Sequence, residues 1–591
     1  MNNKKQKTGK LALNQKVVPK KPTHHPSVKE IPPPSTPAWQ HGLFILLIAL
    51  VTFICFRPAA DNQFLKTWDD QVYVTNNKLI QGPTAKNISE IFSFHKDLQK
   101  LTKNYHPLTT LSLAINYQFS GLNPRSYYLT NIFIHILNSI LVYLLIFRLT
   151  DRKIWAAFFA GLLFGIHPMH VESVAWISER KDVLYGLFFI SGMILYYHYL
   201  KKKRIKFLVF AFLLFCLSVL SKAMAVVFPL VMVLMDLLLE RKWSFRALIE
   251  KIPFFVISLF FGLLAIKIQA EGAIGAWRIF TLMQRIMHAS YGILSYLTNF
   301  FLPVNLSAFY PYPFIDEQGF LPLSFRLAPV VVILILAVSA VALFMKNRML
   351  KVIGFGTWFF ILTLVLVLQF ISVGQAIIAD RYAYIPYIGI CFIIGSWGAF
   401  LVGQKQPKFR IPGIVLAGFM AVLLVFSAIQ THHRSSVWHD DFALWTDALD
   451  QCSDARMNII RTKCAQLRLE SGDYQEAFKE YQAIALSDPK EHDALERIGQ
   501  IYGQYYHLID SSLAYLNKAN QMNPGDPWLL KNLGVAYAMK ADYQKSLECF
   551  LAAYKQLPED TSLMQNLSIS YRAIGDITRS DEFAHLAHQK K

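Results

Sequence analysis

The chain has 591 residues, 54% of them hydrophobic, and a formal net charge of +20. Its apolar residues run in blocks too long for ordinary core helices, which argues against a simple soluble globule and makes a lipid bilayer the expected solvent. The basic excess sits in short clusters beside those blocks, where it reports topology and anionic lipid, so no nucleic-acid partner is expected.

In chain order, residues 1–40 hold eight lysines against the single acid Glu30, then Ile31-Pro32-Pro33-Pro34; this predicts a disordered basic tail. Apolar segments follow near 41–57, 126–148, 154–170, 183–200, 206–221, 224–239, 252–268, 327–345, 351–370, 385–402 and 411–429. Each is about long enough to cross a bilayer, giving about eleven predicted spans. The run 287–302 has spaced polar residues and ends at Pro303, so a span and a re-entrant or interfacial helix both remain open. Charge favours leaving it out of the count. With eleven spans the tail and the basic loops at 148, 201, 240, 346 and 403 share one face, whereas a twelfth would move the last two across. The N-terminus is then predicted cytoplasmic and everything after about residue 430 extracytoplasmic: periplasmic in a bacterium, lumenal in a eukaryote.

Beyond a connector over 431–452, residues 453–591 repeat with a period of about 34. Asp488-Pro489, Asn523-Pro524 and Leu557-Pro558 end successive helix pairs; Ile498-Gly499, Leu533-Gly534 and Leu567-Ser568 recur in the first helices; Gly472-Asp473-Tyr474 and Ala541-Asp542-Tyr543 turn into second helices. Small residues where paired helices approach, and proline where a pair ends, mark tetratricopeptide repeats. The expected class is therefore all-α: a polytopic membrane bundle over 41–430 followed by an α-solenoid. Such solenoids commonly bind polypeptide.

Three external segments carry candidate chemistry. Asp69-Asp70, after Trp68, can supply a general base and a supporting carboxylate, or only an Asx-type turn. His167-Pro168-Met169-His170-Val171-Glu172 and Ser178-Glu179-Arg180-Lys181-Asp182 place cations at headgroup depth, where Arg180 and Lys181 can neutralise a phosphate or simply snorkel. The two histidines have no third metal ligand marked by spacing, so a divalent metal is possible but unsupported. Arg381, in Asp380-Arg381-Tyr382, stands at the mouth of a later span. Asn131, His135 and Asn138 share one face of the second span, which should turn toward the bundle or a cavity. Lys222 and Asp236 bracket the sixth span, and Asp236 is read as structural. The six cysteines show neither CxxC nor metal-ligand spacing.

These segments, in this order, resemble the transmembrane and tetratricopeptide-repeat-containing family of protein O-mannosyltransferases and, more distantly, the GT-C superfamily. The residues that carry the resemblance are Asp69-Asp70, Tyr105-His106-Pro107-Leu108-Thr109 through Leu122-Asn123-Pro124, Asn131 to Asn138, the His167 to Glu172 loop, and Asp380-Arg381-Tyr382 to Pro386. The resemblance implies a polyprenyl-phosphate-linked sugar as donor, mannose by analogy, and a serine or threonine hydroxyl of an exported protein as acceptor, with inversion at the anomeric carbon. It implies Asp69 as base with Asp70 supporting it, Arg180, Lys222 and Arg381 as phosphate partners, and His106, His135, His167, His170 and Glu172 as cavity residues. No metal or other cofactor is firmly implied. The chain departs from the pattern at Ala223, where an acid is expected after Lys222, and at Phe92-Ser93-Phe94-His95, which lacks an acidic signature. A non-enzymatic membrane-anchored repeat scaffold and a lipid-linked polysaccharide ligase or polymerase are the alternative readings.

Overall fold

A computed structural model describes residues 37–590 apart from 83, 94–103, 271–279, 314, 317, 371–375, 405 and 452–457, with the side chains of 270, 407 and 408 also left out. Most of the expected basic tail, Phe94-His95 and Cys452 therefore lie outside the described residues.

The membrane part runs α1 (Ala38–Phe56), α2 (Ala85–Phe92), α3 (Pro107–Ser120), α4 (Pro124–Leu149), α5 (Ile154–Gly165), α6 (Val171–Ala175), α7 (Arg180–Lys202), α8 (Ile205–Ser221), α9 (Phe228–Leu238), α10 (Phe245–Ile249), α11 (Ile252–Ala270), α12 (Leu282–Phe301), α13 (Leu323–Phe344), α14 (Arg348–Leu364), α15 (Tyr387–Val402) and α16 (Pro407–Val437). All eleven apolar segments fall on helix. Among the described residues, seven helical stretches are long and apolar enough to cross a membrane, and an eighth if Ile154–Gly165 and Pro168–Ala175, bent by 52°, form one span. Three further apolar helices are shorter, Ile205–Ser221, Ala223–Leu238 and Tyr387–Val402. The region read as ambiguous is one unbroken helix, α12, and it is not among the seven. A β1 (Tyr310–Pro311) and β2 (Ala376–Ile378) pair, antiparallel with Tyr310 opposite Ile378, brings the segment before α15 against the loop after α12.

Helices in lipid gain nothing from hydrophobic transfer between themselves, so close packing through small residues holds them. Gly356 of α14 and Gly389 of α15 meet backbone to backbone; a Cβ on either would collide with the other's carbonyl oxygen. The polar stripe of α4 is satisfied internally. Asn131 donates to the carbonyls of Val174 and Trp176 (3.3 Å each), and Asn138 to Val183 O (2.7 Å) and the Tyr384 hydroxyl (2.9 Å). It therefore pins the 171–183 segment to α4.

After α17 (Asp441–Gln451) come four antiparallel pairs: α18 (Asn458–Ser471) with α19 (Tyr474–Ser487), α20 (His492–Gln504) with α21 (Ile509–Met522), α22 (Pro527–Met539) with α23 (Tyr543–Tyr554), and α24 (Thr561–Ala573) with α25 (Ile577–Gln589). Asp473, Asp542 and Asp576 each cap a second helix by accepting from the backbone N–H three residues on, which extends the turn pattern read from two repeats to a third. Gly499 and Gly534 are where the paired helices touch: a Cβ would enter Leu516 in one pair and the Phe550 ring in the other.

Gly534→Val is therefore expected to destabilise the solenoid by about 1–3 kcal/mol through overpacking. Limited proteolysis should cut within α22 to α25 at lower protease concentration than in the wild type, and unchanged resistance would contradict this packing.

Candidate functional site

The two carboxylates of the 69–70 pair part company at the entry to a single π-helical turn over Gln71–Thr75, which Asp70 immediately precedes. Asp70 is fully buried and accepts from Leu65 N (3.0 Å), Ser178 N (3.0 Å) and Ser178 Oγ (2.5 Å). Burial pushes it up to about 6 while those donors limit the rise, so it is ionised at neutral pH and ties its loop to the start of α7. Asp70 consequently does not reach the cavity. Asp69 does: its side chain is half exposed and lies 3.7 Å from Lys181 Nζ.

That cavity, about 180 Å³, is lined by Asp69, His106, Glu179, Lys181, Lys222 and Arg381, with Tyr105, Met224, Phe261 and Tyr382 among the apolar and aromatic walls. Glu179 sits at its centre. One oxygen is 3.1 Å from Lys181 Nζ and 3.4 Å from Arg381 Nε, the other 3.2 Å from Lys222 Nζ. Lys222 also binds Asp182 (2.5 Å). Arg381 pairs with Glu172, which accepts from the Arg381 backbone N–H as well (2.9 Å). These carboxylates hold the Arg381 guanidinium well above its usual range. The neighbouring Asp380, which accepts from the Tyr310 hydroxyl (2.7 Å), is pushed above the usual carboxylate range by burial and by Glu172.

Several expected cavity residues stand elsewhere. Arg180 is fully buried, bound to Asn131 Oδ1, Asn116 Oδ1 (2.7 Å) and Tyr127 O (2.9 Å). Successive residues on a helix differ by about 100°, so its neighbour Lys181 takes the cavity side, resting over the rings of Tyr73 (4.8 Å) and Trp176 (5.8 Å). His135, His167 and His170 also do not line the cavity. His135 joins Tyr384 (2.8 Å) to Gly165 O (3.1 Å), His167 reaches Phe300 O (3.0 Å), His170 reaches Phe164 O (2.8 Å), and the His170 ring meets His135 in a T-shape and lies tilted against His167 beside the 52° bend. Glu172 stays behind Arg381 and orients it. His106 is the histidine at the cavity. It precedes α3, its Nδ1 has no hydrogen-bond partner, and burial with Lys181 and Lys222 nearby holds it well below the usual imidazole range, so it is neutral there. Among the described residues, no group of three or more His, Cys, Asp or Glu side chains could hold a metal ion.

The Asp69 loop is gripped from behind. Asp441, at the start of α17, accepts from Lys66 N and Thr67 N (2.8 Å each) and from the Thr67 hydroxyl, to which Trp445 Nε1 also donates (2.8 Å). Trp68 stacks on Trp445 (5.5 Å) and meets Trp176 edge-on (4.8 Å); Trp176 stacks on Trp438 (5.8 Å) and faces Arg381 (5.5 Å).

An acid and three cations at one end of a membrane helical bundle, with a tetratricopeptide solenoid attached beside them, define a membrane protein of two joined all-α parts. No family model matches the chain. The chain is similar to curated protein O-mannosyl-transferases. It is 33% identical to protein O-mannosyl-transferase TMTC4 of Mus musculus over 26% of this chain and 22% of that protein. It is 43% identical to protein O-mannosyl-transferase tmtc2 of Xenopus laevis over 16% and 11%. With protein O-mannosyl-transferase F38B6.6 of Caenorhabditis elegans it is 24% identical over 69% of this chain and 58% of that protein. The chain thus spans less than two thirds of the length of each of these relatives. Among solved structures, MamA 41-end from Desulfovibrio magneticus RS-1 aligns with 25% of this chain and 85% of that one, at 20% identity and a TM-score of 0.23.

Asp441→Ala should release the Lys66 and Thr67 amides. A hydrogen bond to a charged acceptor contributes about 1.5–3 kcal/mol, so hydrogen exchange at these two amides should accelerate by roughly ten- to a hundred-fold, whereas unchanged protection would show the loop is held by other means.

Proposed function

We propose that this protein is a membrane glycosyltransferase that moves a sugar, by analogy mannose, from a polyprenyl phosphate to serine or threonine hydroxyls of exported proteins. The observation that carries the reading is the placement of one accessible carboxylate, Asp69, in the same cavity as Lys181, Lys222 and Arg381.

Transfer needs a proton acceptor at the incoming hydroxyl and positive charge at the departing phosphate. In this reading Asp69 takes the proton as the acceptor oxygen attacks the anomeric carbon. The new glycosidic C–O bond forms as the bond from that carbon to the phosphate oxygen breaks, and the lipid phosphate departs with both electrons, inverting the centre. The charge growing on it falls to the three cations. They arrive in place because Glu179 already holds them, and each keeps capacity: an ammonium has three donors and a guanidinium five. His106, neutral and with a free Nδ1, is suited to a sugar hydroxyl. A scaffold reading gives no account of the half-exposed acid beside this cluster. The names of the relatives, all protein O-mannosyl-transferases, support the sugar and the protein acceptor.

The charge pattern supports placing the N-terminus in the cytoplasm, and the solenoid outside with the cavity. The grip of α17 on the Asp69 loop supports a solenoid that retains polypeptide close to the reacting centre.

Asp69→Asn, compared at equal membrane abundance, should lower glycosylation of exported proteins by about 10²–10⁴-fold with lipid-donor binding retained; unchanged glycans would sink the assignment of the base. Deleting residues 453–591 should reduce glycosylation of protein far more than donor binding, and the reverse pattern would make the repeats an attached module.

A further inference from the structure

At the other end of α7, about 35 Å along the helix from Glu179 at 1.5 Å per residue, lies a second charged cavity. It is about 510 Å³ and is walled by Leu144, Phe147 and Tyr197, with Arg148, Arg152, Lys201 and Lys202 around it and His41 and His198 completing the lining. No acid lines it. Among the described residues none of these four cations makes an ion pair within 4.0 Å; the largely exposed Asp151 carboxylate lies 3.8 Å from Arg348.

The local fold gathers these charges deliberately. α4 and α7 both finish here, and each chain turns off through left-handed residues, Asp151 (φ 53°) and Arg152 (φ 69°) after one helix and Lys203 (φ 55°) after the other. The Arg152 N–H closes on Phe147 O (2.9 Å) and the Lys203 N–H on Tyr199 O (2.8 Å). Arg148 is fixed by donating Nε to His198 Nε2 (3.2 Å) and Nη1 to Leu144 O (2.8 Å). Two helix C-termini offer roughly half a negative charge each and the exposed Asp151 carboxylate lies at the rim, so the cavity keeps a net positive charge. The neighbouring cavity on the other flank of α7 shares Lys201 and is also basic, but it carries two glutamates that occupy cations: Glu250 binds Arg241 (2.6 Å) and Arg246 (3.1 Å), and Glu240 pairs with Lys351.

We propose that the Arg148/Arg152/Lys201/Lys202 cavity is a binding site for the phosphate headgroup of an anionic phospholipid. Its unpaired charge calls for an anion, and its apolar wall, formed where two long membrane helices end, suits a headgroup whose acyl chains run back along α4 and α7. The site is separate from the transfer cavity and does not depend on its chemistry.

The test uses the full chain in nanodiscs of phosphatidylcholine with phosphatidylglycerol as the sole anionic lipid, counting lipid retained after extraction by native mass spectrometry. Phosphatidylglycerol should be retained in preference to phosphatidylcholine. Arg152→Gln combined with Lys202→Gln, both exposed positions whose change leaves the fold undisturbed, should weaken that retention on the order of twenty-fold. Lys242→Gln combined with Arg246→Gln, in the neighbouring glutamate-bearing cavity, should leave it unchanged. Equal weakening in both double variants, or no preference in the wild type, would reduce the effect to diffuse surface charge and overturn the proposal. Displacement of the lipid by inorganic phosphate alone would reassign the cavity to a soluble anion and overturn it equally.

Discussion

Glu179 binds three cations that would otherwise repel one another, and the geometry of the whole cavity follows from that one carboxylate. Each of its partners comes from a different part of the chain: Lys181 from the first turn of α7, Lys222 from the end of α8, Arg381 from the turn before α15. A buried charge without a partner costs several kcal/mol, so the carboxylate and the cations fix one another's positions. Asp182 and Glu172 bind the outer sides of Lys222 and Arg381 and keep either from collapsing onto Glu179. A cluster assembled in this way is rigid before any ligand arrives, which is what electrostatic stabilisation of a departing phosphate requires.

Rigid cations are of use only if the acid opposite them is equally fixed. Two supports do this from different directions. Asp70 ties the loop to Ser178, one residue before Glu179, so acid and cation hub share a single anchor. Asp441 ties the same loop to the helix that leads into the solenoid. The stripe on α4 works on the other side of the hub, with Asn131 and Arg180 locking the segment from Val174 to Arg180 in place. Polar groups that in isolation look suited to a substrate are in this protein mostly occupied by one another.

The class of the fold was legible because each part has its own period: long apolar blocks for the membrane, a recurring Gly and Pro register for the solenoid. The capping aspartates and close glycine contacts then follow the register that the sequence shows. The site was legible in part. Asp69, His106, Lys222 and Arg381 line one cavity, but Arg180 and Lys181 exchange places because a one-residue step turns a side chain by about 100° and the helix phase at its first turn is set by tertiary contacts. His167 and His170 look catalytic at i and i+3, yet the bend between α5 and α6 rotates both into the protein. Glu179 and Asp182 were visible as residues and silent as a role. Four charges in a row at a membrane edge had to neutralise something, but apart from the Glu179–Lys181 pair their ionic partners lie 40 or more residues away, as with Lys222 and Asp182. Asp441 carried no local signal at all, since its hydrogen bonds are to backbone 374 and 375 residues distant.

The four tryptophans behind the cavity have a spectroscopic consequence. Trp176 lies within 6 Å of both Lys181 and Arg381 and shares a stacked array with Trp438, while Trp68 does the same with Trp445 beside Asp69. An indole's emission responds to the charge next to it. The protein thus carries a label-free optical reporter beside the cavity: because Trp68 also meets Trp176 edge-on, arrival of an anion between Lys181 and Arg381 and movement of the connector helix both register on the same tryptophan cluster.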